Sequence, residues 1–228
     1  MKKPLLAALI AGGFALAPAA AGAAEDYPAR PVRMVVGFAA GGPTDIVARA
    51  VAQKMAEGLG QPVLVENRAG AGGMVATEYV SKIAPDGYTI LMGTIGGLAV
   101  AMTLNPNRGY DTLRDFAPVS QTVNVTSVLI VNPAVKATNV AELVALARAN
   151  PGRLNYGSSG TGTVTHLAGE LFKTMANVQI QTVMYKGGAP ALTAILRGEV
   201  DMSYENSLII LPHVKAGKLR ALAVTSKE

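Results

Sequence analysis

The 228-residue chain has no cysteine and only two histidines, His166 and His213. Without cysteine there is no disulfide framework, so the stability of an exported chain must come from packing alone. Two distant imidazoles with no thiol beside them make no recognisable metal spacing, and neither a metal nor a cofactor is expected. Blocks of like charge are missing as well. The 20 basic and 15 acidic residues are scattered and leave a formal charge of +5, of which Lys2 and Lys3 belong to an N-terminal leader. Such a distribution makes nucleic acid a poor partner and is compatible with a small anionic ligand. Beyond that leader no apolar run reaches a membrane-spanning length free of charges.

What is present begins with Met-Lys-Lys, an apolar stretch "PLLAALIAGGFALAPAAAGAA", and small residues at Ala21, Gly22 and Ala23. That order is the pattern of a secretory signal peptide. Gly12, Gly13 and Pro18 interrupt the apolar part, which argues against a membrane anchor. Residues 1–24 therefore read as a leader cut near Ala23 or Ala24, and the periplasm as the expected location. About 200 mature residues are enough for a sizeable core, or for two modest lobes.

Along the mature chain, "VRMVVGF" at 32–38 reads as a buried strand and residues 44–59 as a helix with Ile46, Val47, Ala50, Val51, Met55 and Leu59 apolar. "PVLVEN" is a second strand, a helix follows the glycines at 70–73 through Ile83, and "YTILMG" at 88–93 is a third strand. The alternation indicates a largely parallel α/β lobe, with ligand sites beyond the carboxyl ends of its strands. Composition shifts in "NPNRGYDTLRDFAPVS" at 105–120, and a second α/β series follows: "VTSVLIVNP", a helix at 140–149, "LNYGS", a helix at about 165–175, "IQTVMY", a helix at 189–196, "VDMSY" and "LRALAVTS". We therefore expect a first lobe at 25–120 and a second at 121–228.

Each lobe contains a strand that feeds a Gly-rich turn and then a helix: "VVGFAAGGPTDIVARAV" in the first and "LNYGSSGTGTVTHLAGELF" in the second. Two such turns across a cleft would surround a carboxylate with backbone and hydroxyl donors while needing little formal charge. Gly41 and Gly42 allow close backbone approach, or simply a tight connection. Thr44 or Asp45 can cap the helix, and Asp45 would repel an anion, so it reads as a cap. Ser158, Ser159, Thr161 and Thr163 supply hydroxyls around Gly160, either to a ligand or to the turn itself. Neither segment matches a nucleotide fingerprint: there is no G-x-G-x-x-G around Gly41, and "GSSGTGT" lacks the phosphate-loop lysine. "NRAGAGG" at 67–73 also has the wrong spacing, and Arg68 reads either as a second carboxylate contact or as a solubilising side chain.

Catalysis has weaker support. "GSSG" is one residue too compact for a G-x-S-x-G elbow, and His166 has no evident nucleophile to serve, so it reads as a capping or packing residue. A secreted hydrolase-like enzyme acting on a small carboxylated substrate is the alternative reading.

Taken together, "YPARPVRMVVGFAAGGPTDIVARAVAQKM", "LGQPVLVENRAGAGG", "APDGYTILMGT", "LRDFAPVS", "PGRLNYGSSGTGT", "HLAGELFK", "YKGGAPALTAILRGEVD" and "HVKAGKLRALAVTS" resemble the Bug/TctC family of periplasmic tripartite tricarboxylate transporter receptors. The resemblance covers nearly all of residues 27–226. It implies a two-lobed, type II, Venus-flytrap α/β periplasmic binding protein, not an enzyme, that captures a small carboxylate, dicarboxylate or acidic amino acid. Membrane components of a tripartite transporter are the implied partners, without nucleic acid. The implied ligand-binding set is Phe38, Ala40, Gly41, Gly42, Thr44, Gly93, Thr94, Ser158, Ser159, Gly160, Thr161, Thr163, Tyr185 and Glu205, with no catalytic and no metal residue. Tyr185 comes from the "YKGG" segment, and backbone and hydroxyl donors rather than Lys186 are the implied carboxylate contacts. Three departures stand out. Gly37 and Ala39 occupy positions where the family commonly has proline, and Glu205 stands where Asp is frequent. The sequence also stops at Glu228, where relatives continue with a segment that returns to the first lobe, so a C-terminally incomplete first lobe is expected.

Overall fold

The computed structural model describes residues 27–226, so the leader reading for residues 1–24 lies outside it. The first sheet is parallel, with β1 (Val32–Val36) at its centre between β2 (Val63–Asn67) and β3 (Thr89–Met92). Because side chains alternate along a strand, Met34 and Val36 face α1 (Pro43–Leu59) and build the first core with Phe38, Ala48 and Ala52. The buried face of α1 is thus Ala48 and Ala52, supported by Val51 and Met55. Ile46, counted as apolar in the sequence reading, is 40% exposed. Pro43 opens this helix, where its missing N–H costs nothing, and Gly60 ends it in the left-handed conformation.

After β2 a short turn at Ala71–Gly73 leads into α2 (Met74–Ser81). Helical backbone then runs from Gly96 into α3 (Ala101–Leu104), and α4 (Thr112–Asp115) lies in the Asn/Pro/Gly-rich stretch, where Asp111 accepts from the Leu113 and Arg114 N–H groups. Neither helical segment was expected from composition.

The second sheet has the order β6-β5-β7-β4-β8, from β4 (Ser127–Val131), β5 (Asn155–Ser158), β6 (Gln181–Met184), β7 (Met202–Asn206) and β8 (Arg220–Val224). β5 runs parallel to β6 and β7, whereas β4 is antiparallel to β7 and β8. Every residue of β4 is buried. Leu129 and Val131 face a cluster with Leu143 and Ala147 of α5 (Val140–Ala149), while Val128 and Ile130 face Ile195 of α7 (Gly188–Leu196) and Ile210 of α8 (Ser207–Lys215). Helices therefore cover this sheet on both faces, as a largely hydrophobic strand requires. α6 (Val164–Ala176) lies against Tyr156 of β5 through Gly169.

The parallel strands decide where a site can form. β1, β2, β5 and β6 all deliver their carboxyl ends to one region, and the loops that leave them at 37–42, 68–73, 159–163 and 185–187 meet there. That convergence is the place where open α/β sheets bind ligands.

Candidate functional site

A cavity of about 190 Å³ lies between the lobes. Its first-lobe wall is Gly37, Phe38 and the turn at 70–72; its second-lobe wall is Ser159, Gly160 and Thr161 with Met184, Tyr185 and Lys186. No acidic side chain faces it, and Lys186 is its one charged residue.

The first turn is held from behind. Asp45 is buried and accepts hydrogen bonds from the Gly41 N–H at 2.9 Å, Arg49 Nε at 2.9 Å and Asn67 Nδ2 at 2.9 Å. Asn67 Nδ2 also donates to the Phe38 carbonyl at 3.0 Å, so the end of β2 fixes the loop that follows β1. Burial alone would raise the Asp45 carboxyl, yet the Arg49, Gly41 and Asn67 hydrogen bonds together hold it below its ordinary value. The helix cap itself is Gly42, which makes no side-chain cap bond. Asp45, three residues in, reaches back to the turn instead, as the acidic member of a capping box does.

The second turn is organised by hydroxyls. Thr163 caps α6 by accepting from the His166 N–H at 3.3 Å, and its own hydroxyl donates to the Gly160 carbonyl at 2.7 Å. Ser159 Oγ lies 2.6 Å from Thr165 Oγ1, and Ser158 is fully buried behind it. His166 Nδ1 accepts from the Gly162 N–H at 3.1 Å. Ser159 and His166 are thus each committed to other partners, and no Ser–His relay is formed. Among the described residues no group of three His, Cys, Asp or Glu is placed to hold a metal.

Of the sequence-derived set, Phe38, Ser159, Gly160, Thr161 and Tyr185 line the cavity. Gly42 lies on the lobe contact, where a β-carbon would meet the Ala189 N at 3.5 Å and the Gly188 N at 3.8 Å. Ala40 and Gly41 are exposed, Thr44 is on the first turn of α1, and Thr94 stands behind Gly73 rather than in the wall. Gly93 is packed around Leu98. Ser158 and Thr163 serve the turn. The Thr161 and Tyr185 hydroxyls have no hydrogen-bond partner among the described residues, in contrast to Ser159 and Thr163. The Tyr185 ring packs against Gly157 and the cluster around Val200, where burial, with Glu199 nearby, raises its phenol.

Glu205 is not in the wall. It is 1% exposed at the end of β7, with Ser203 Oγ 3.3 Å from Oε1 and Oε2 close against Gly188 at the start of α7. Burial pushes its carboxyl up to about 8, against the opposing pull of the Ser203 hydroxyl and the Asn206 N–H. Arg68 does not reach the cleft. Its Nε pairs with Glu66 at 2.6 Å and its guanidinium stacks 3.5 Å from the Tyr79 ring centre.

Sequence reasoning missed Gly37, the 70–72 turn and Met184 as wall residues, and had Lys186 only as part of the "YKGG" segment. The glycine run at 70–73 was visible, but its wrong spacing for a phosphate loop hid a different use.

Comparison with known proteins places this geometry. The model of the tripartite tricarboxylate transporter family receptor, TctC, matches residues 47–228. Protein BugT of Bordetella pertussis is 41% identical over 206 residues, which cover 90% of this chain and 63% of BugT, so the chain spans less than two thirds of that relative. Among solved structures, an R. palustris protein with adipate is 41% identical with a TM-score of 0.86, covering 89% of this chain and 68% of that one. MatC from Rhodopseudomonas palustris, with bound malate, is 33% identical with a TM-score of 0.84, covering 89% and 69%.

Proposed function

This chain belongs to the tripartite tricarboxylate transporter receptor family, with its two-lobed α/β periplasmic binding-protein fold, and from that premise we propose that it captures a small carboxylate and presents it to the membrane components of such a transporter. The lobes meet near residue 120, and the solute sits between them without covalent change. The observation that carries the reading is the chemistry of the cavity wall: glycine backbone, an uncommitted Thr161 hydroxyl, one lysine and no carboxylate. Such a wall accepts an anion and repels nothing negative. Its volume, about 190 Å³, falls below the roughly 300–1,000 Å³ of pockets for drug-sized molecules and fits a small metabolite.

Adipate and malate, the molecules held by the two R. palustris relatives, are the natural first probes, together with aspartate and glutamate. Calorimetry is expected to show saturable binding of at least one of them, with the probe recovered unchanged by chromatography. Thr161→Val removes one donor at nearly constant volume and is expected to weaken binding by about 1–3 kcal/mol. Binding that survives this change intact would move the site away from this cavity. Turnover of any probe, lost on changing Ser159, would favour the enzyme.

A further inference from the structure

The turn at 70–73 has a role that the donor chemistry of the cavity does not explain. Ala71 and Gly72 both have left-handed backbone, with φ of 46° and 65°, and Gly72 is buried. What buries it is the other lobe. A β-carbon on Gly72 would overlap the Thr161 carbonyl oxygen, and one on Gly160 would lie 3.3 Å from the Gly72 α-carbon. A β-carbon on Gly96 would lie 2.6 Å from the Gly72 carbonyl oxygen and 3.4 Å from that of Gly162. Backbone from three separate segments is therefore in van der Waals contact at one point, beside the cavity. A second lobe contact flanks the same cavity, where the Ala39 N–H donates to the Lys186 carbonyl at 3.1 Å. There a β-carbon on Gly187 would sit 3.8 Å from the Ala39 β-carbon.

We propose that Gly72 sets lobe closure: the turn at 70–73 is a third arm of the cleft that seats against Thr161 only because position 72 carries no side chain. The obstacle to any other residue is a backbone carbonyl, which has no rotamer to change. A methyl group there must either separate the lobes or displace the whole turn. This arm contributes fit at the contact, and Gly70, Ala71 and Gly72 form the cavity wall beside Phe38 and Ser159. The inference deepens the receptor reading, in which closure retains the solute, but the contact itself needs no ligand.

The Ala39 amide reports the closed arrangement without any added side chain, because its hydrogen bond to the Lys186 carbonyl crosses between the lobes and is lost when they part. Amide hydrogen exchange at residue 39 of the full chain, followed by NMR without added ligand, therefore counts each opening. Gly60→Ala is the control, because Gly60 has φ of 67° but nothing within 4 Å of a β-carbon, so it carries the same backbone cost with no lobe contact. We expect the Ala39 amide to be protected in the wild type, Gly60→Ala to match it, and Gly72→Ala to exchange there at least about tenfold faster, the equivalent of about 1.4 kcal/mol in the closed population. Matching circular dichroism spectra are expected for all three. Exchange of Gly72→Ala at the wild-type rate overturns the proposal, as does an Ala39 amide that is unprotected in the wild type. So does a Gly72→Ala chain that unfolds where Gly60→Ala does not, since the glycine then serves folding and not closure. Adipate added to the wild type separates the two questions. Slower exchange supports an adipate receptor, and an unchanged rate counts against that solute while leaving the Gly72 result to stand on its own.

Discussion

Glu205 is a carboxylic acid placed where an uncharged group is favoured. It is 1% exposed, its hydrogen-bonding neighbours are Ser203 and the Asn206 N–H, and burial raises it to about 8. Asp45, equally hidden, goes the other way because Arg49, Asn67 and the Gly41 N–H supply what burial removes. The contrast has a sign that can be measured. An unfolded chain releases the Glu205 proton near 4.5, whereas the folded chain keeps it to about 8. Stability from this group is therefore fully present below the unfolded value and is lost as pH rises through the folded one. The wild-type unfolding free energy from urea titrations is expected to fall between pH 5 and pH 8.5, by at most about 5 kcal/mol from this residue. Glu205→Gln keeps the shape and cannot ionise, so its midpoint should be flatter across the same range. An unchanged slope would assign the titration to another group.

At the scale of single elements, Gly169 sets two effects against each other. It lies inside α6, where alanine is better than glycine by about 1 kcal/mol on helix propensity. Yet a β-carbon there would overlap the Tyr156 ring and approach its Cδ1 to 2.9 Å. Tyr156 is 1% exposed in a packed cluster, with its hydroxyl bound to the Thr165 carbonyl, so it has nowhere to move. Overpacking of that kind costs about 1–3 kcal/mol and should win. Gly169→Ala is expected to lower the urea midpoint; a rise would mean that propensity decides. Elements such as α5 were legible because their signals are local: Asn139 accepts from the Glu142 N–H and Glu142 reaches back to Thr138, a capping pattern written in adjacent residues. α8 was not, because Pro212 sits inside it and "SLIILP" lacks a clear helical period. For the site, the two glycine-hydroxyl turns could be read from their strand-turn-helix context. The contact of Gly72 with Thr161 could not, since it exists only when residues far apart in sequence are brought together by both sheets.

The two lobes differ in how well their sheets are covered, and this governs how the whole molecule should breathe. In the second, β4 is entirely buried between two apolar clusters. In the first, only β1 is mostly buried; β2 and β3 contain no buried residue, and Leu64 is 54% exposed. Backbone hydrogen bonds open most readily where little apolar packing must be disrupted. Amide exchange without ligand is therefore expected to be faster in β2 and β3 than in β4 and β7. A carboxylate held between the lobes would change this selectively, because it opposes only those openings that break the cavity. At a free concentration of one hundred times Kd, that opposition is about 2.7 kcal/mol, or roughly a hundredfold slower exchange. Protection should rise together in the segments 37–42, 70–73 and 159–163, which belong to both lobes. β8, on the far edge of the second sheet, should change least. Slowing confined to the second lobe would mean that the solute is held there without closure, and equal slowing everywhere would mean stabilisation of the global fold rather than of the closed cleft.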